Sequence, residues 1–503
     1  MSSIQVKQGA KAAELAVLPG EDLLSALRRV GYSVPAVCGG RGRCGKCRVP
    51  VNGVPRLACR VKPQDGDVVQ LPEAAGGVIL TQSGALPQAA PGQSGLAAAV
   101  DLGTTTVALR LFDLAEGRLL AEEQGWNVQS PFGADVISRI QYTIDNITGL
   151  AELSLRIRGQ VSGLLADALK NSGRHGSRVD RIVVAGNTVM QHIFDGRQVS
   201  SIARAPFVPE TLFTQPRGTS LDGTPVLFAP CASGFVGGDI MAGLLASGLP
   251  GNSGVRLFLD IGTNGEMALA GKDGILCCAV ASGPAFEGGG ISCGMPGIGG
   301  AVSHVRYEHG FMMDIIGGGP ACGLCGSGLI DLSAALLELG VIDGGGRLLP
   351  PNEAPDPLRR YLTRDADGNG IFHLTEQVFL TAGDVRALQL AKAAVAGGIR
   401  VLLARRGIGA AELESVELTG GFGNYVLPEN AVRLGMLPKE CLGKIRRLGN
   451  SSLAGASMLA LDGKYWEQAA CITKMCSCIE LSGRADFAQA FTDNLGFRGY
   501  INS

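Results

Sequence analysis

Four cysteines near the start of the 503-residue chain have the spacing of iron ligands. Cys38, Cys44, Cys47 and Cys59 follow a C-x5-C-x2-C-x11-C pattern, and the first three share one glycine-rich loop. Plant-type 2Fe-2S clusters take four cysteine thiolates in patterns of this kind. A zinc site is the alternative, but structural zinc sites favour two short cysteine pairs over three ligands on a single loop. The spacing therefore predicts a 2Fe-2S cluster and an electron carrier.

Strands and a helix must hold this loop in place. Apolar residues at helical spacing predict a helix that opens at Glu21 and buries Leu23, Leu24, Leu27 and Val30. Strands are predicted at 4–6, 14–18, 48–51, 56–58 and 67–71, with Asn52-Gly53 as a hairpin turn. This order resembles the β-grasp ferredoxin domain, and the hairpin that returns Cys59 resembles the iron-sulfur subunits of succinate dehydrogenases. We expect this domain at residues 1–73 and a flexible linker at 74–95.

A second kind of chemistry is indicated by a repeated hairpin pattern. An apolar strand, Asp, an apolar residue and Gly-Thr lead into a second apolar strand at 96–109 and again at 255–268. Such a turn presents amides and hydroxyls that bind phosphate oxygens, and the Asp at the strand end can hold Mg²⁺ through water. One copy alone would also fit an aspartic protease. Two copies and a third element favour nucleotide binding.

The third element is a strand that runs into the glycine-rich turn of 416–425. Such a turn lets the backbone approach a nucleobase and ribose closely. The three elements together resemble the phosphate-1, phosphate-2 and adenosine motifs of the actin, sugar-kinase and Hsp70 superfamily. That resemblance implies a multidomain α/β chain whose two RNase-H-like lobes hold ATP in the cleft between them. We expect lobe 1 at 96–250, and lobe 2 with C-terminal elements at 251–503.

The superfamily resemblance also implies a role for each motif residue. Asp101 and Asp260 would position Mg²⁺ and the attacking water. Glu266 is a candidate water-positioning base, with a solvated turn carboxylate as the alternative. The implied phosphate ligands are Gly103, Thr104, Thr105, Gly262, Thr263 and Asn264, and the implied nucleoside contacts are Gly420, Gly421 and Gly423.

A ferredoxin module joined to such an ATPase body resembles the reductive activators of corrinoid proteins. Further matching segments, which extend the resemblance over nearly the whole chain, are 133–140, 184–192, 234–239, 281–288, 325–331, 479–482 and 486–487. The resemblance implies ATP-dependent transfer of one electron to a corrinoid whose cobalt is stranded as Co(II), which restores the Co(I) used in methyl transfer. Fewer residues separate the third cysteine from the fourth than the family pattern leads us to expect. The linker is also shorter than expected.

The family resemblance implies a corrinoid protein of a methyltransferase system as partner, and a ferredoxin or flavoprotein as electron donor. Basic residues crowd the cluster loop and are either solvated charge or a docking patch for an acidic donor. They are Arg41, Arg43, Lys46, Arg48, Arg56 and Arg60. Two other functions stay open: activation of a radical dehydratase or ring reductase, and a redox-gated, chaperone-like ATPase without net electron transfer.

Composition limits the remaining possibilities. Apolar residues make up 46% of the chain, charged residues 18%, and the formal net charge is −1. This balance gives no electrostatic footprint for nucleic acid or an anionic membrane. With no recognisable signal peptide and no apolar run of about 18 residues, we expect a cytoplasmic protein. In the cytoplasm, cysteines are more often metal ligands or buried thiols than members of disulfides.

Several other residues are predicted to be structural. We expect buried thiols at Cys322 and Cys325 and core thiols at Cys471, Cys476 and Cys478, because their spacing fits no four-iron cluster. Cys277, Cys278 and Cys293 receive no assignment. His192 is expected to be structural, and Asp135 with Arg139 is expected to be a helix surface pair.

Overall fold

A computed structural model describes residues 2–8, 11–30, 32, 34, 42, 47–71, 89–133, 135–215, 219–249 and 254–497. The strands in these residues are β1 (Ser2–Gln8), β2 (Lys11–Val17), β3 (Arg48–Val51), β4 (Val54–Leu57), β5 (Val68–Leu71), β6 (Leu96–Leu102), β7 (Thr106–Asp113), β8 (Arg118–Trp126), β9 (Arg181–Gly186), β10 (Ser220–Leu221), β11 (Thr224–Phe228), β12 (Val255–Ile261), β13 (Gly265–Gly271), β14 (Gly274–Val280), β15 (Ala301–Tyr307), β16 (Phe311–Ile315), β17 (Gly323–Leu324), β18 (Leu362–Arg364), β19 (Gly370–His373), β20 (Phe379–Thr381), β21 (Leu413–Thr419), β22 (Ile445–Arg447) and β23 (Cys476–Cys478).

The same residues contain twelve α-helices. They are α1 (Leu23–Arg29), α2 (Val136–Asp145), α3 (Gly149–Asn171), α4 (Thr188–Asp195), α5 (Gly238–Ala246), α6 (Gly326–Glu338), α7 (Ala382–Arg406), α8 (Gly420–Tyr425), α9 (Pro428–Arg433), α10 (Ser451–Leu461), α11 (Lys464–Met475) and α12 (Ala485–Asp493).

The N-terminal elements form a small sheet in the order β2-β1-β5-β3-β4. Leu23, Leu24 and Leu27 of α1 are buried in the core with Ile4 and Val6 of β1, as their spacing predicted. Val30 is 47% exposed, because α1 ends at Arg29. This is the mixed sheet and covering helix expected of the ferredoxin-like domain.

Two larger sheets share a core of five strands, β11-β9-β6-β7-β8 in one and β22-β21-β12-β13-β14 in the other. The first has the order β10-β11-β9-β6-β7-β8 and the second the order β22-β21-β12-β13-β14-β23. In each, a hairpin (β6 with β7, β12 with β13) pairs through its first strand with a parallel strand, β9 or β21. Strands buried on both faces read as almost continuous apolar runs, which is why both sequence repeats are so apolar. The duplicated lobes predicted from the two Asp-x-Gly-Thr segments are confirmed.

A helix contact joins the two lobes. α10 packs on α5 so closely that a Cβ at Gly455 would collide with the backbone of Ala242. One core cluster contains Ala97 of β6, Phe258 of β12 and Leu459 of α10. α5 and α10 therefore form a packed contact between the first lobe and the C-terminal half of the chain.

Among the described residues, α7 is long and apolar enough to cross a membrane, and 72% of its apolar window is buried inside the fold. Its Lys392 donates a 2.5 Å hydrogen bond to the carbonyl of Gly496, and burial lowers the pKa of Lys392 to about 8. The contacts of α7 are those of a core helix.

Candidate functional site

The two motif aspartates lie near the ends of β6 and β12, next to the hairpin turns. Asp101 accepts hydrogen bonds of 2.7 Å from the Ser452 hydroxyl and 2.8 Å from the Asn450 amide. Burial raises the pKa of Asp101, although these two hydrogen bonds oppose the shift. The N-terminus of α10 thereby fixes the carboxylate that the phosphate-1 motif supplies.

Further carboxylates surround these aspartates. We call Asp101, Asp239, Asp260, Glu266 and Glu287 the acidic centre. Asp260 and Glu266 are direct partners across the β12–β13 hairpin, and Asp239 lies in the first turn of α5.

The members of the acidic centre repel one another's charge. Burial, followed by the charges of Asp260 and Asp101, raises the pKa of Asp239 to about 7. Burial, Asp101 and Glu287 raise the pKa of Asp260 to about 7 as well. The pKa of Glu266 is raised well above its usual value by burial, Asp239 and Asp260. A divalent cation would relieve this repulsion, because it favours the ionised carboxylates.

The donor set of the acidic centre suits a magnesium ion. Mg²⁺ usually keeps several waters and is bound through only one or two carboxylates. Asp101 and Asp260 are the two carboxylates that the motifs assign to this ion, and the charge of Asp101 contributes to the raised pKa of Asp260.

Glu287 connects the two phosphate turns. It accepts hydrogen bonds from the hydroxyls of Thr263 at 2.8 Å and Thr105 at 3.3 Å, and from the Thr263 amide at 3.3 Å. These are the donors that the motifs imply for phosphate oxygens. Glu287 thus holds the turns of both lobes together through one carboxylate.

The phosphate-1 turn is supported from below by buried polar groups. Arg139 donates 2.5 Å to the carbonyl of Thr104 and 3.0 Å to that of Gly133. The Asn127 amide donates 2.8 Å to the carbonyl of Gly103, and the Asn187 amide donates 3.0 Å to the Thr104 hydroxyl. The turn is therefore held in place before any ligand arrives.

The predicted surface pair of Asp135 and Arg139 is wrong. Arg139 is fully buried, and burial lowers its pKa to about 9. Asp135 instead caps the N-terminus of α2 by accepting from the Ser138 amide at 2.7 Å. An i, i+4 spacing alone does not distinguish an ion pair on the helix surface from a helix cap that is followed by a buried arginine.

The third motif turns beside Asp260. Gly420 has φ +78° at the junction of β21 and α8, and a Cβ there would collide with Oδ1 of Asp260. Gly421 is exposed and Gly423 is buried, and a Cβ at Gly423 would make only an ordinary 3.4 Å contact with Cβ of Leu418. Of the three glycines, Gly420 is the one that permits the close approach of α8 to the acidic centre.

The phosphate-2 turn is closed by its own backbone. The amide of Gly262 donates 2.8 Å to the carbonyl of Asn264. The Asn264 side chain hydrogen-bonds Glu266 and so opposes the rise in the pKa of that carboxyl. Glu266 is accordingly a half-buried member of the acidic centre and not a solvated turn carboxylate.

Two of the four predicted iron ligands lie in described residues and are adjacent. Sγ of Cys47, at the start of β3, is 3.2 Å from Sγ of Cys59 in the turn after β4. The backbone supports this pairing, since the amide of Ala58 donates 2.7 Å to the carbonyl of Cys47. Two converging thiols on a hairpin fit the donor set of a 2Fe-2S cluster. Cys38 and Cys44 lie outside the described residues.

Basic side chains lie close to these thiols. Arg48, Arg56 and Arg60 are exposed. Arg41, Arg43 and Lys46 lie outside the described residues.

The expected roles of the other cysteines are only partly confirmed. Cys325 is buried, but Cys322, Cys471 and Cys478 are exposed and Cys476 is half-buried. The core-thiol prediction fails for Cys476 and Cys478 because β23 is the edge strand of its sheet, a position that sequence periodicity does not reveal.

His192 has the structural role expected. Its Nδ1 lies 2.6 Å from the carbonyl of Thr188, its Nε2 accepts from the Thr211 amide at 3.3 Å, and burial lowers its pKa.

Some functional candidates escaped the motif search. Asp239 is the last residue of segment 234–239, and Glu287 is the next-to-last residue of segment 281–288. The resemblance of these two segments to the family was the signal in the sequence that could have identified both residues. Asn450 and Ser452 belong to none of the sequence motifs. They reach Asp101 from more than three hundred residues along the chain, and this contact depends on the packing of α10.

Comparison with known protein families covers almost the whole chain. Residues 6–72 match the 2Fe-2S iron-sulfur cluster binding domain, and residues 96–252 match the RACo middle region. Residues 254–500 match the C-terminal domain of RACo, the ASKHA domain.

Individual relatives agree with these matches. The corrinoid activation enzyme RamQ of Eubacterium limosum is 32% identical over 416 residues, which cover 79% of this chain and 70% of that protein. The Co(II) methylated amine-specific corrinoid protein reductase of Methanosarcina barkeri is 27% identical over 327 residues, or 57% of this chain and 56% of that protein.

The solved structure of a reductive activator for corrinoid,iron-sulfur protein superimposes with a TM-score of 0.71 at 27% identity, and covers 99% of this chain and 98% of that one. The domain order, the two hairpin turns and these relatives together place the chain in the family of reductive activators of corrinoid proteins.

Proposed function

We propose that this protein is an ATP-dependent reductive activator that transfers one electron from its 2Fe-2S cluster to the Co(II) cofactor of a corrinoid protein. The product is the Co(I) state used in methyl transfer. One observation carries the proposal: the chain that contains the adjacent thiols of Cys47 and Cys59 also contains a two-lobed cleft whose phosphate turns meet at Glu287.

The electron transfer is uphill for an ordinary ferredoxin, which explains the need for an ATPase body. Plant-type clusters have potentials near −400 mV. For one electron, each additional 59 mV costs about 1.4 kcal/mol. A gap of roughly 150 mV therefore requires several kcal/mol, which nucleotide binding or hydrolysis can supply through a conformational change.

The residues of the cleft have separate tasks in this account. Asp101 and Asp260 would hold Mg²⁺ through water, and the hydroxyls of Thr105 and Thr263 would donate to phosphate oxygens. The Ser452 and Asn450 contacts keep Asp101 in place. Magnesium supplies charge neutralisation on the transferred phosphoryl group.

Two carboxylates compete as acceptor of the attacking water's proton. Glu266 is the candidate from the motif, and burial, Asp239 and Asp260 raise its pKa well above the usual range. Asp239 is the second candidate: burial and the charges of Asp260 and Asp101 raise its pKa to about 7, and a base is most effective when its pKa is near the working pH.

The path from nucleotide to partner would run through the lobes. An arriving phosphate competes with Glu287 for Thr105 and Thr263, so the contact that joins the two turns changes. Asp101 is tied to α10, Asp239 begins α5, and these helices are in backbone contact at Gly455. Lobe closure is thus the two-state element that ATP would bias.

We propose a cytoplasmic protein that receives electrons from a ferredoxin or flavoprotein. The exposed side chains of Arg48, Arg56 and Arg60 would favour an acidic donor.

Anaerobic absorption spectroscopy tests the proposed function. Reduced protein is mixed with ATP and a Co(II) corrinoid protein, and the Co(I) band is followed. We expect the band to appear. Its absence with every corrinoid protein tried, while ATP is hydrolysed, would favour a dehydratase activator or a chaperone-like ATPase.

A further inference from the structure

Three thiols outside the proposed site meet at the edge of the lobe 2 sheet. Cys277 on β14 is the direct parallel-strand partner of Cys478 on β23. Cys476 stands two residues before Cys478 on β23, so its side chain lies on the same face of the sheet. We call these residues the edge thiols.

The edge thiols differ in exposure and in acidity. Cys277 is fully buried and its pKa is raised well above the usual value by the hydrogen bonds with Cys476 and Cys478 and by burial. Cys478 is exposed, and hydrogen bonds from Cys277 and Ser233 lower its pKa. An accessible, acidic thiol beside a second thiol is the arrangement of oxidation-sensitive cysteines.

We propose that Cys478 and Cys277 form an oxidation-sensitive dithiol, with a peroxide as oxidant and disulfide closure as the modification. Strand partners in a parallel ladder lie within the Cα separation that a disulfide accepts. The neighbouring Cys476 instead faces α5, with its sulfur 3.8 Å from Sδ of Met241.

The chemistry balances with hydrogen peroxide alone. The Cys478 thiolate attacks the peroxide oxygen and, with one proton taken up, gives a sulfenic acid and water. The Cys277 thiol then attacks the sulfenic sulfur, which forms the S–S bond and releases a second water. Two thiols lose two electrons and two protons in total. A dithiol reductant reverses the modification by thiol–disulfide exchange.

Formation of the disulfide would affect the acidic centre. Met241, which Cys476 of β23 contacts, follows Asp239 by two residues on α5. A disulfide between Cys478 and Cys277 would tie β23 to β14 and so alter this contact. This effect on ATP turnover rests on the proposed function, whereas formation of the disulfide does not.

Peptide mapping of the full-length, cluster-containing protein tests the dithiol. The protein is treated with hydrogen peroxide, remaining thiols are alkylated, and trypsin peptides are analysed without reduction. We expect a cross-link between the peptide containing Cys277 and that containing Cys478. The cross-link should be lost in Cys478→Ser and in Cys277→Ser, and kept in Cys278→Ser and Cys471→Ser.

Two further measurements complete the test. Because Cys277 is buried, Cys277→Ala is included beside the serine variant, and circular dichroism confirms that each variant is folded. A cross-link that persists without Cys478, or none in the wild type, would overturn the dithiol. ATP turnover should fall on oxidation and recover with dithiothreitol. A disulfide that leaves turnover unchanged would overturn the coupling to the cleft while leaving the modification site standing.

Discussion

Thr105 and Thr263, from the hairpin turns of different lobes, donate their hydroxyl hydrogens to the same oxygen of Glu287, at 3.3 and 2.8 Å. The carboxylate therefore occupies donors that the motifs assign to phosphate. Glu287 is both a link between the lobes and a competitor of the nucleotide.

Replacing Glu287 by alanine should tighten nucleotide binding. The substitution frees three donors and removes a negative charge, so we expect the Kd for ATP to fall by roughly fivefold, equivalent to about 1 kcal/mol. Isothermal titration calorimetry measures this directly. Glu308→Ala, an exposed turn carboxylate of the same lobe, is the matched control and should leave the Kd unchanged. A weaker complex in Glu287→Ala would contradict the competitor role.

Asp260→Asn should abolish ATP turnover while the fold persists. Removal of a preorganised charge at the reacting phosphate typically costs about a hundredfold or more in rate. A coupled phosphate-release assay gives the turnover number, with the exposed Asp273→Asn as control. Turnover within about threefold of the wild type would remove Asp260 from the catalytic machinery.

The same substitution should change how stability depends on pH. Asp239 and Asp260 have pKa values raised to about 7 from an ordinary value of 3.8. Between these values the folded state binds more protons than the unfolded state, so stability falls as pH rises from about 4 to about 7. Asp260→Asn should therefore be more stable than the wild type at pH 8, by on the order of 2–4 kcal/mol, and nearly equal to it below pH 4. Thermal melts without nucleotide or Mg²⁺ test this sign, and a variant less stable than the wild type at pH 8 would refute it.

Arg139→Met should weaken lobe 1 and its phosphate turn together. The change leaves the carbonyls of Thr104 and Gly133 without their buried donor, at a cost of roughly 2–4 kcal/mol. Arg156→Met, which removes an exposed i, i+4 ion pair with Glu152, should cost at most about 0.5 kcal/mol. Thermal denaturation followed by circular dichroism compares the two variants. Equal stabilities would show that Arg139 is not the support of the turn.

Electron delivery to the cluster should depend on salt. If Arg48 and Arg56 guide an acidic donor, the reduction rate should fall as ionic strength rises from about 0.01 M to about 1 M. Charge reversal of both side chains should lower the rate at low salt, whereas Arg118→Glu, on an exposed part of lobe 1, should not. Stopped-flow absorbance of the cluster measures the reduction rate. A rate that does not change with salt concentration would contradict the docking patch.

The sequence predicted the positions that local patterns encode. Asp101 and Asp260 stand near the ends of apolar strands, and a hairpin turns directly after each, so their location beside the turns could be predicted from the sequence. Their roles came from the family resemblance and stay predictions. Glu287 and Asp239 sit in segments of other elements, and only the fold brings them to the turns. The exposure of Cys478 depends on which strand ends the sheet, and strand order is a tertiary property. Arg139 was misplaced because helix periodicity does not report what covers the helix.

A single-turnover experiment tests the central claim most directly. Protein with a fully reduced cluster, and no other reductant, is mixed anaerobically with a Co(II) corrinoid protein, with and without ATP, while cluster oxidation and the Co(I) band are recorded together. The account predicts one Co(I) formed per cluster oxidised when ATP is present, and neither change when ATP is omitted or Asp260 is replaced by Asn. Equal Co(I) formation without ATP, or Co(I) formation without cluster oxidation, would contradict it.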